Sequence, residues 1–473
     1  MNDYAVVGSG IGGSTIAAYL DKRGFKTVLF EKEPYLGGCS STFSHHGFKY
    51  NTGATTFVGY QEGHPVKEMF DAMNFTPSLT PTDPAIVVIH EKKVTPRYHD
   101  LEQFLIALEK NYPHHTHKKF WKLLYEINAS FYQIEGYTYS NSSKFKKFIS
   151  MLSYFPLFLK FRKYLHMNAH TFIEKFYGVL SEEYTAFLEA QVLIVAQASL
   201  KEINFLTAAL ALGYTFNKTY TVDGGFSHLF DQLTDGMEHI ERSTAIQKIE
   251  KENGFYILHT KNKRYKAKNV ILNTTIYDSQ KLFEDKKIQS YYAKYEKLDN
   301  HQSSFMVYMT IKSDQHFEHH YQLIQKEQYP FTISNALFVS FSTQDDLSMA
   351  PQGHYSITAS IHTDYRDWED KERYKEQKEM LKNQLIKSIC DILDIRSEEI
   401  VDAFAATPKT FQRYINRKQL GGNAMTMKNF LPKLPANDTP IEGLYQVGDS
   451  VYPGQGWPGV TMGVKNLIRI LGV

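Results

Sequence analysis

Cysteine is scarce in this 473-residue chain, which contains only Cys39 and Cys390. Two cysteines in a chain of this length cannot build a disulfide framework, so we expect both to pack as free thiols in a reducing compartment. The sequence also lacks any uncharged apolar run of about eighteen residues, and we therefore predict no transmembrane helix.

An excess of either charge is missing as well. The 53 Lys and Arg residues are almost balanced by 51 Asp and Glu residues, which gives a net charge of +2 and excludes a general attraction to nucleic acid. The sequence begins directly with a strand pattern, without the basic and apolar regions of a signal peptide, so we expect a cytoplasmic protein. A hydrophobic content of 42% is enough for a large core, which we expect to be divided over about two or three domains.

A glycine-rich motif near the N-terminus lies between a predicted strand and a predicted helix. Residues 4–7 form a short apolar run typical of a buried parallel strand, and a helix pattern runs over residues 14–20. Between them, Gly8, Gly10 and Gly13 form the pattern G-x-G-x-x-G. In a dinucleotide-binding fold these glycines make a tight turn, let the backbone approach a pyrophosphate, and allow close packing of helix and strand. The helix N-terminus adds free N–H groups for the phosphates.

A second predicted strand, over residues 26–31, ends in an acidic residue. Glu31 lies about twenty residues beyond the glycines, where a carboxylate accepts hydrogen bonds from an adenosine ribose. The alternative is a glycine-rich turn in an ordinary βαβ unit. Because the strand, the glycines, the helix and the acidic strand end occur in the correct order and spacing, we favour a dinucleotide site.

Another glycine-rich motif lies at the opposite end of the chain. Residues 444–447 form a short apolar run that is followed directly by Gly448 and Asp449. The segment 453–460 (PGQGWPGV) comes next, and we predict a helix that begins at Val460. Small residues before a helix let backbone N–H groups approach a ligand closely. A one-domain nicotinamide enzyme has no need of its C-terminus at the cofactor, whereas the longer FAD often does.

The two ends of the chain together resemble a known family. The segment 30–43 (FEKEPYLGGCSSTF) and the later residues 51–53 (NTG) are similar to the FAD-binding start of phytoene-desaturase-like flavoproteins, and especially to retinol saturases and carotenoid isomerases. The segment 453–460 resembles the P-G-Q-G segment of the same enzymes. The family usually carries Asp where this chain has Asn51, so a hydrogen bond remains available there while an ionic role is lost.

The resemblance implies that FAD is the cofactor and that both ends of the chain bind it. It places Asp449 at the ribityl and pyrophosphate part of FAD, and it implies that N–H groups of the last motif stabilise the negative charge of a reduced flavin. We assign no catalytic residue and no metal ligand, because the flavin itself carries out the redox chemistry. The predicted cofactor-binding residues are Gly8, Gly10, Gly12, Gly13, Glu31, Lys32, Gly38, Cys39, Ser40, Ile246, Gly448, Asp449, Gly456, Trp457, Pro458 and Val460.

The predicted fold class is α/β, with a discontinuous Rossmann-like FAD-binding domain and a mixed α+β substrate domain. We expect the first part of the substrate domain to be mainly helical and the start of its second part to be mainly β, because apolar and polar residues alternate there. The predicted FAD-binding domain comprises residues 1–75, 215–295 and 436–473, and the substrate domain comprises residues 76–214 and 296–435.

The function implied by the resemblance is that of an FAD-dependent oxidoreductase. Its substrate would be an apolar isoprenoid or carotenoid-like molecule, and a desaturase, saturase or isomerase would act on its C=C or adjacent C–C bonds. We identify no separate NAD(P)-binding domain, so we expect a quinone, oxygen or another diffusible electron partner at the same flavin. The alternatives are an amine-oxidase-like flavoenzyme and a non-catalytic flavin-binding scaffold.

Several side chains have two interpretations at this point. Trp457 either packs at a domain seam or contacts the substrate. The histidines of residues 114–117 have no clear zinc-site spacing, and we interpret them as a solvated helix start. Arg413 and Tyr414 either reach the substrate or flavin edge or form a structural ion pair.

The segment 144–167 has the composition of a membrane-docking surface. It combines basic residues with Phe, Leu, Tyr and Met and contains no acidic residue, and Pro156 divides it into two short pieces. Because an apolar isoprenoid lies in the bilayer, we expect salt-sensitive peripheral attachment at the inner face of the membrane. The alternative is an amphipathic helix pair packed on its own domain. The basic residues are Lys144, Lys146, Lys147, Lys160, Arg162 and Lys163.

The Gly10→Val variant tests the N-terminal motif. We expect it to lose FAD, because a side chain at this position occupies the space of the pyrophosphate. The flavin released by denaturing the purified variant and the wild type measures the effect, and circular dichroism verifies that the variant is folded. A folded variant with full flavin content would show that the motif has been misplaced.

Overall fold

The computed structural model describes residues 1–133, 137–429 and 433–473. Its fold is α/β, as predicted, and is built on two seven-stranded sheets, a three-stranded sheet and a hairpin. The described strands are β1 (Asn2–Val7), β2 (Thr27–Phe30), β3 (Thr42–His45), β4 (Phe48–Asn51), β5 (Phe57–Val58), β6 (Leu79–Thr82), β7 (Ile86–His90), β8 (Lys93–Arg97), β9 (Thr219–Val222), β10 (Ile240–Glu241), β11 (Lys248–Glu252), β12 (Phe255–His259), β13 (Arg264–Leu272), β14 (Gln302–Lys312), β15 (His320–Ile324), β16 (Ala336–Phe341), β17 (His354–Asp364), β18 (Ile400–Ala406) and β19 (Leu444–Gln446).

Helices pack against both large sheets and also form a separate group. The described α-helices are α1 (Ile11–Lys22), α2 (Pro65–Ala72), α3 (Leu101–Asn111), α4 (His117–Phe131), α5 (Lys144–Ser153), α6 (Phe155–Leu165), α7 (Ala169–Tyr177), α8 (Glu182–Ala196), α9 (Phe205–Leu212), α10 (Phe226–Leu233), α11 (Lys286–Ala293), α12 (Tyr374–Leu393), α13 (Pro408–Ile415) and α14 (Gly456–Leu471).

The first large sheet joins both ends of the chain. Its strand order is β10-β2-β1-β13-β12-β11, and β19 pairs with β13. The strands β10, β2, β1, β13 and β19 run parallel, while β11 and β12 form an antiparallel hairpin. The strand β1 is buried from Tyr4 to Val7, in agreement with its continuous apolar sequence. Helix α1 packs on β1 and β2, and α14 packs on α1.

The second large sheet has the strand order β18-β14-β17-β16-β15-β7-β8. Its neighbours are antiparallel except for β7 and β15, which are parallel. The strands β14 and β17 confirm the prediction that the chain just after residue 296 is mainly β. The strands β7 and β8 were missed, because residues 76–214 were predicted to be mainly helical. The run Ile86–His90 is buried at every residue and shows no alternation, so its strand character had no periodic signal.

The helical group α3–α9 has a core of its own that is rich in aromatic residues. The histidines of residues 114–117 belong partly to this core, which corrects the prediction of a solvated helix start. His117 is only 1% exposed; its ring nitrogens lie within hydrogen-bonding distance of the Tyr177 hydroxyl, at 2.9 Å, and the Tyr112 carbonyl oxygen. His117 is therefore a core residue, and its imidazole has hydrogen-bonding partners inside the core.

His64, directly before α2, generates a prediction about acid stability. The side chain is buried against Tyr132, with 4.2 Å between ring centroids, and burial lowers the pKa of His64 to about 4. At a pH below about 6.5, the ordinary pKa of histidine, this imidazole binds a proton in the unfolded chain but not in the folded chain. The free energy of unfolding therefore decreases as the pH is lowered. Between pH 7 and pH 5 we expect the His64→Leu variant to lose about 2 kcal/mol less of this free energy than the wild type.

Urea unfolding at the two pH values measures the difference. The exposed His115 provides the matched control, and His115→Leu should leave the pH dependence of the unfolding free energy unchanged. An equal loss of stability in His64→Leu and the wild type would contradict the proposed role of the buried imidazole.

Candidate dinucleotide-binding site

The N-terminal glycines occupy the turn between β1 and α1. Gly8 has a φ of +96°, and its N–H donates to the Phe30 carbonyl oxygen at 2.9 Å, which joins the turn to β2. A Cβ atom on Gly13 would lie 1.9 Å from the Gly8 carbonyl oxygen. The third glycine of the pattern is therefore required for close packing of helix and strand, as the sequence predicted.

The N-terminus of α1 is open. Gly10 is its N-cap residue, and no side-chain hydrogen bond caps the helix within the described residues. The first-turn N–H groups of an uncapped helix are available to an anion. A Cβ atom on Gly10 would meet the Asn273 amide nitrogen at 2.7 Å, and one on Gly12 would meet the Asn273 amide oxygen at 2.9 Å. The backbone at this turn is therefore in direct contact with the end of β13.

Glu31 fixes the glycine turn to the end of β2. Its carboxylate accepts hydrogen bonds from the Ser9 N–H at 3.0 Å, from the Ser9 hydroxyl and from the Glu33 N–H at 3.0 Å. The Glu31 carbonyl oxygen accepts from the N–H of Thr244, two residues before Ile246. The two predicted residues Glu31 and Ile246 are thus brought into neighbouring segments. The organising role of Ser9 was not anticipated.

Lys32 follows Glu31 but is directed elsewhere. Its Nζ donates to the Arg413 carbonyl oxygen and to the Asn416 side chain, each at 3.2 Å, at the C-terminal end of α13. The Arg413 side chain is exposed and so is Tyr414. Neither the expected ion pair nor a buried contact of Arg413 is present within the described residues. Arg417, four residues further on, is partly buried and forms an ion pair with Asp449.

The turn at residues 37–40 lies against the first glycine turn. Gly37 donates from its N–H to the Ser9 carbonyl oxygen at 3.1 Å, and Gly38, Cys39 and Ser40 form a short 3-10 helix. Gly38 has a φ of +57°, and a Cβ atom on it would lie 3.8 Å from the Gly10 Cα. The predicted residues of the two turns therefore surround one region.

The C-terminal motif completes this region from the other side of β13. The Val447 N–H donates to the Leu272 carbonyl oxygen at 2.8 Å, and a Cβ atom on Gly12 would lie 3.0 Å from the Gly448 nitrogen. Asn273, directly after β13, lies next to Gly8, Gly10, Gly12 and Gly448. Sequence reasoning missed Asn273, although a polar residue that ends a buried parallel strand is a usable signal.

Helix α14 begins earlier than the sequence predicted. It begins at Gly456 and not at Val460, and no side-chain hydrogen bond caps it within the described residues. Its first turn repeats the arrangement at α1, because a Cβ atom on Gly459 would lie 2.9 Å from the Gly454 carbonyl oxygen. The residues 454–459 thus contain a second G-x-G-x-x-G spacing, which the sequence analysis did not identify.

Trp457 packs in the core of the first sheet. It is 3% exposed, lies 4.6 Å from the Phe57 ring, and is stacked on Phe230 at 5.6 Å. The side chain therefore packs within this core, and its contact with the cofactor stays a prediction. The neighbouring Pro458 lies in the first turn of α14, and Val460 is buried in the same helix.

Asn51 serves the structure near the second turn. Its side-chain oxygen accepts from the Thr42 hydroxyl at 2.7 Å, and the Phe226 N–H approaches it at 3.4 Å. These contacts join the hairpin β3–β4 to the start of α10. Both contacts use the Asn51 amide oxygen as the acceptor and therefore need no charge at this residue.

The principal charged pair of the region joins Asp449 and Arg417. The Arg417 Nη2 donates to the Asp449 Oδ2 at 2.9 Å, and its Nη1 lies 3.5 Å from the Cys39 sulfur. Burial opposes the guanidinium charge, but the carboxylate beside it raises the pKa of Arg417 above its ordinary value. Burial likewise raises the pKa of the Cys39 thiol, which is therefore neutral beside the arginine.

Comparison with known proteins agrees with this geometry. A family model described as an NAD(P)-binding Rossmann-like domain matches residues 6–73. The crystal structure of an oxidoreductase from Methanosarcina mazei superimposes with a TM-score of 0.62 and 20% sequence identity, over 98% of this chain and 99% of that chain. The first sheet and its glycine turns therefore form a dinucleotide-binding Rossmann-like fold.

Two curated relatives are similar over nearly the whole chain. A prolycopene isomerase from Daucus carota is 26% identical over 488 residues, which cover 96% of this chain and 77% of the relative. A 4,4'-diapophytoene desaturase from Staphylococcus haemolyticus is 22% identical over 520 residues, which cover 98% of this chain and 97% of the relative. The two glycine-rich ends thus lie at one site, and over nearly its whole length the chain is similar to a carotenoid isomerase and to a carotenoid-type desaturase.

Proposed function

We propose that the protein is an FAD-dependent oxidoreductase that acts on C=C or adjacent C–C bonds of an apolar isoprenoid or carotenoid-like substrate. One observation carries the proposal: both ends of the chain meet at β13, where two uncapped helix N-termini and the turn at residues 37–40 surround one region. This arrangement suits a long cofactor with a diphosphate at one place and a ring system at another.

The residues present fit FAD by a steric criterion. Cβ atoms on Gly10 and Gly12 would approach Asn273 atoms to 2.7 and 2.9 Å, so these positions admit only glycine, and no side-chain hydrogen bond caps α1 within the described residues. Bound FAD would supply hydride or electron transfer. The N–H groups at the start of α1 would hold the phosphates, and those at the start of α14 would stabilise negative charge. The Glu31 carboxylate would orient the ribose while it keeps its bonds to Ser9.

The names of two relatives support an apolar substrate. The relatives act, by their names, on prolycopene and on a diapophytoene. We propose a quinone, oxygen or another diffusible molecule as electron partner. Amine oxidation and a non-catalytic flavin-binding role remain the competing functions.

Turnover assays with an added quinone as electron acceptor separate these functions. The purified protein should be yellow and release FAD on denaturation, and polyene products analysed by mass should differ by two hydrogens or be isomers of the substrate. Reoxidation of the dithionite-reduced flavin by a candidate polyene would identify saturation. Oxidation of amines in place of polyenes would support the amine-oxidase function, and bound FAD without any turnover across a polyene and amine panel would support the scaffold. A protein that is colourless and cannot be reconstituted with FAD would overturn the proposal.

We also propose that the protein reaches its substrate through the docking segment, defined as residues 144–167. This segment forms α5 and α6, which meet at Tyr154, and Pro156 lies in the first turn of α6. None of the described helices is long and apolar enough to cross a membrane. The inward side chains are Leu157, Phe161 and Tyr164, whereas large apolar side chains are exposed at Phe145, Phe148, Ile149, Met151, Leu152, Phe155, Phe158 and Leu159.

The composition of this surface favours an anionic lipid bilayer over a purely apolar partner. An exposed apolar surface of this kind on a monomer marks an interaction site. Basic side chains flank it, and only Lys146 approaches a carboxylate within the described residues, that of Asp438 at 3.6 Å. Basic residues near an anionic membrane contribute about 1 kcal/mol each, and the aromatic and aliphatic side chains add burial among the headgroups.

The docking segment is joined directly to the cofactor motif. The Tyr154 hydroxyl, between α5 and α6, donates to the Tyr452 hydroxyl, and Tyr139 packs on Tyr452 at 4.6 Å. Tyr452 directly precedes the segment 453–460. A lipid-bound substrate that enters beside Tyr154 would therefore arrive next to the residues proposed to hold the flavin.

Liposome co-sedimentation tests the docking segment. We expect binding that needs anionic lipid, weakens with salt, and falls about 100-fold when Lys144, Lys160 and Lys163 become Gln. Replacing the exposed Lys371, Lys375 and Lys387 by Gln is the charge-matched control and should leave binding unchanged. Equal loss in both variants would indicate general charge attraction, and binding that neither variant changes would move the docking surface elsewhere.

A further inference from the structure

Arg417 has a partly buried guanidinium, with a side chain that is 16% exposed, and one of its donors has only a weak acceptor. Its Nε donates to the Gln419 carbonyl oxygen at 3.2 Å, and its Nη2 donates to Asp449. The partner of Nη1 is the Cys39 sulfur at 3.5 Å, and a thiol is a weak acceptor. A charged donor withdrawn from water normally has strong acceptors, because desolvation without them is costly. Among the described residues Nη1 has only the thiol, so an anionic oxygen would be a stronger acceptor for it.

The position of Arg417 connects it with the glycine turns. Cys39 follows Gly38, which packs on the Gly10 Cα. Asp449 follows Gly448, whose nitrogen lies next to Gly12. The guanidinium thus lies where the turn at residues 37–40 and the C-terminal motif meet, on the side of the α1 N-terminus. Its contacts with Cys39 and Asp449 belong to segments that border the proposed phosphate site.

Other basic side chains near these turns are directed away. The Lys32 ammonium is bound at the end of α13, and Arg413 is exposed. A diphosphate carries negative charge that the partial charge of a helix N-terminus only partly offsets. Arginine is well suited to such a group, because its planar fork matches phosphate oxygens.

We propose that Arg417 binds the diphosphate of FAD, with Asp449 holding its guanidinium in place before the cofactor arrives. This inference rests on the proposed function and adds a cofactor-binding residue that the sequence motifs do not contain. Burial keeps the Cys39 thiol neutral, so Asp449 is the one carboxylate that pairs with this guanidinium among the described residues.

The loop that carries Arg417 packs closely against the C-terminal motif. A Cβ atom on Gly422 would lie 2.5 Å from the Asp449 carbonyl oxygen, and Gly422 has a φ of +76°. The Gln419 side chain donates to the Gly422 carbonyl oxygen, which closes the loop that carries Arg417. The loop is therefore held against the C-terminal motif from two sides, and Arg417 has a fixed position before any ligand binds.

Titration of the flavin-free full-length protein tests the proposal. FAD binding is followed by flavin fluorescence, and ADP, which has the diphosphate but no flavin, is measured by competition. We expect Arg417→Gln to weaken FAD and ADP by the same factor, about 10- to 100-fold. Arg417→Lys should lose less, and the exposed Arg413→Gln should change either affinity less than about twofold.

A second variant guards against a purely structural effect. Arg417→Gln leaves the Asp449 carboxylate without its partner, so its folding is checked by thermal unfolding beside the double variant Arg417→Gln/Asp449→Asn. The double variant should also bind both ligands weakly, because no side-chain cation remains for the diphosphate. Recovery of wild-type affinity in the double variant would overturn the proposal and show that Arg417 only neutralises Asp449.

The two ligands distinguish the remaining outcomes. Loss of FAD affinity with unchanged ADP affinity would place Arg417 at the flavin ring and overturn the diphosphate assignment. Unchanged affinity for both ligands would overturn it as well. A wild-type protein that binds ADP but no FAD would contradict the proposed function while leaving the role of Arg417 intact if Arg417→Gln still weakens ADP.

Discussion

The parallel pairing of β13 with β1 on one side and β19 on the other is the interaction on which the rest of the structure depends. Val270, Ile271 and Leu272 of β13 lie opposite residues of both strands. The first half of β13 instead pairs antiparallel with β12, so the strand changes partners along its length. Because the carboxyl ends of parallel strands meet at one edge, this pairing brings residues 8–13 and 448–460 together.

This constraint explains how charge is arranged at the strand ends. Glu31 is buried and uses its carboxylate on the Ser9 backbone and hydroxyl, while the Asp449 carboxylate pairs with Arg417. Each acidic group is thus satisfied within the protein and still lies at the border of the glycine turns. A partly buried pair of this kind contributes little net stability, since desolvation offsets the attraction. It does hold the guanidinium in a fixed position.

The sequence predicted the parts of this site that depend on local signals. Glycines between strand and helix require their backbone conformations locally, so the positions of Gly8, Gly13 and Gly448 could be predicted from the residues around them. Asn273 had only the weak signal of a polar residue that ends a buried strand, and Arg417 had none. Their contacts with Gly12 and Cys39 join residues that are 261 and 378 positions apart in the sequence. The strand β7 was missed for a related reason, since a strand buried on both faces has no alternation. The early start of α14 was missed because glycine and proline are usually breakers, yet Pro458 is tolerated in a first helical turn.

The fold also connects the cofactor region with the surface at α5 and α6, through Tyr154 and Tyr452. Contacts among Tyr154, Tyr139 and Tyr452 therefore join the exposed apolar surface at α5 and α6 to the C-terminal motif beside β13. A crystal structure of the flavin-loaded protein tests the proposed FAD site most directly. It should show FAD with its diphosphate at the N-terminus of α1 beside Arg417 and its flavin ring beside residues 454–460. A diphosphate bound elsewhere, or a flavin ring remote from the C-terminal motif, would contradict the account.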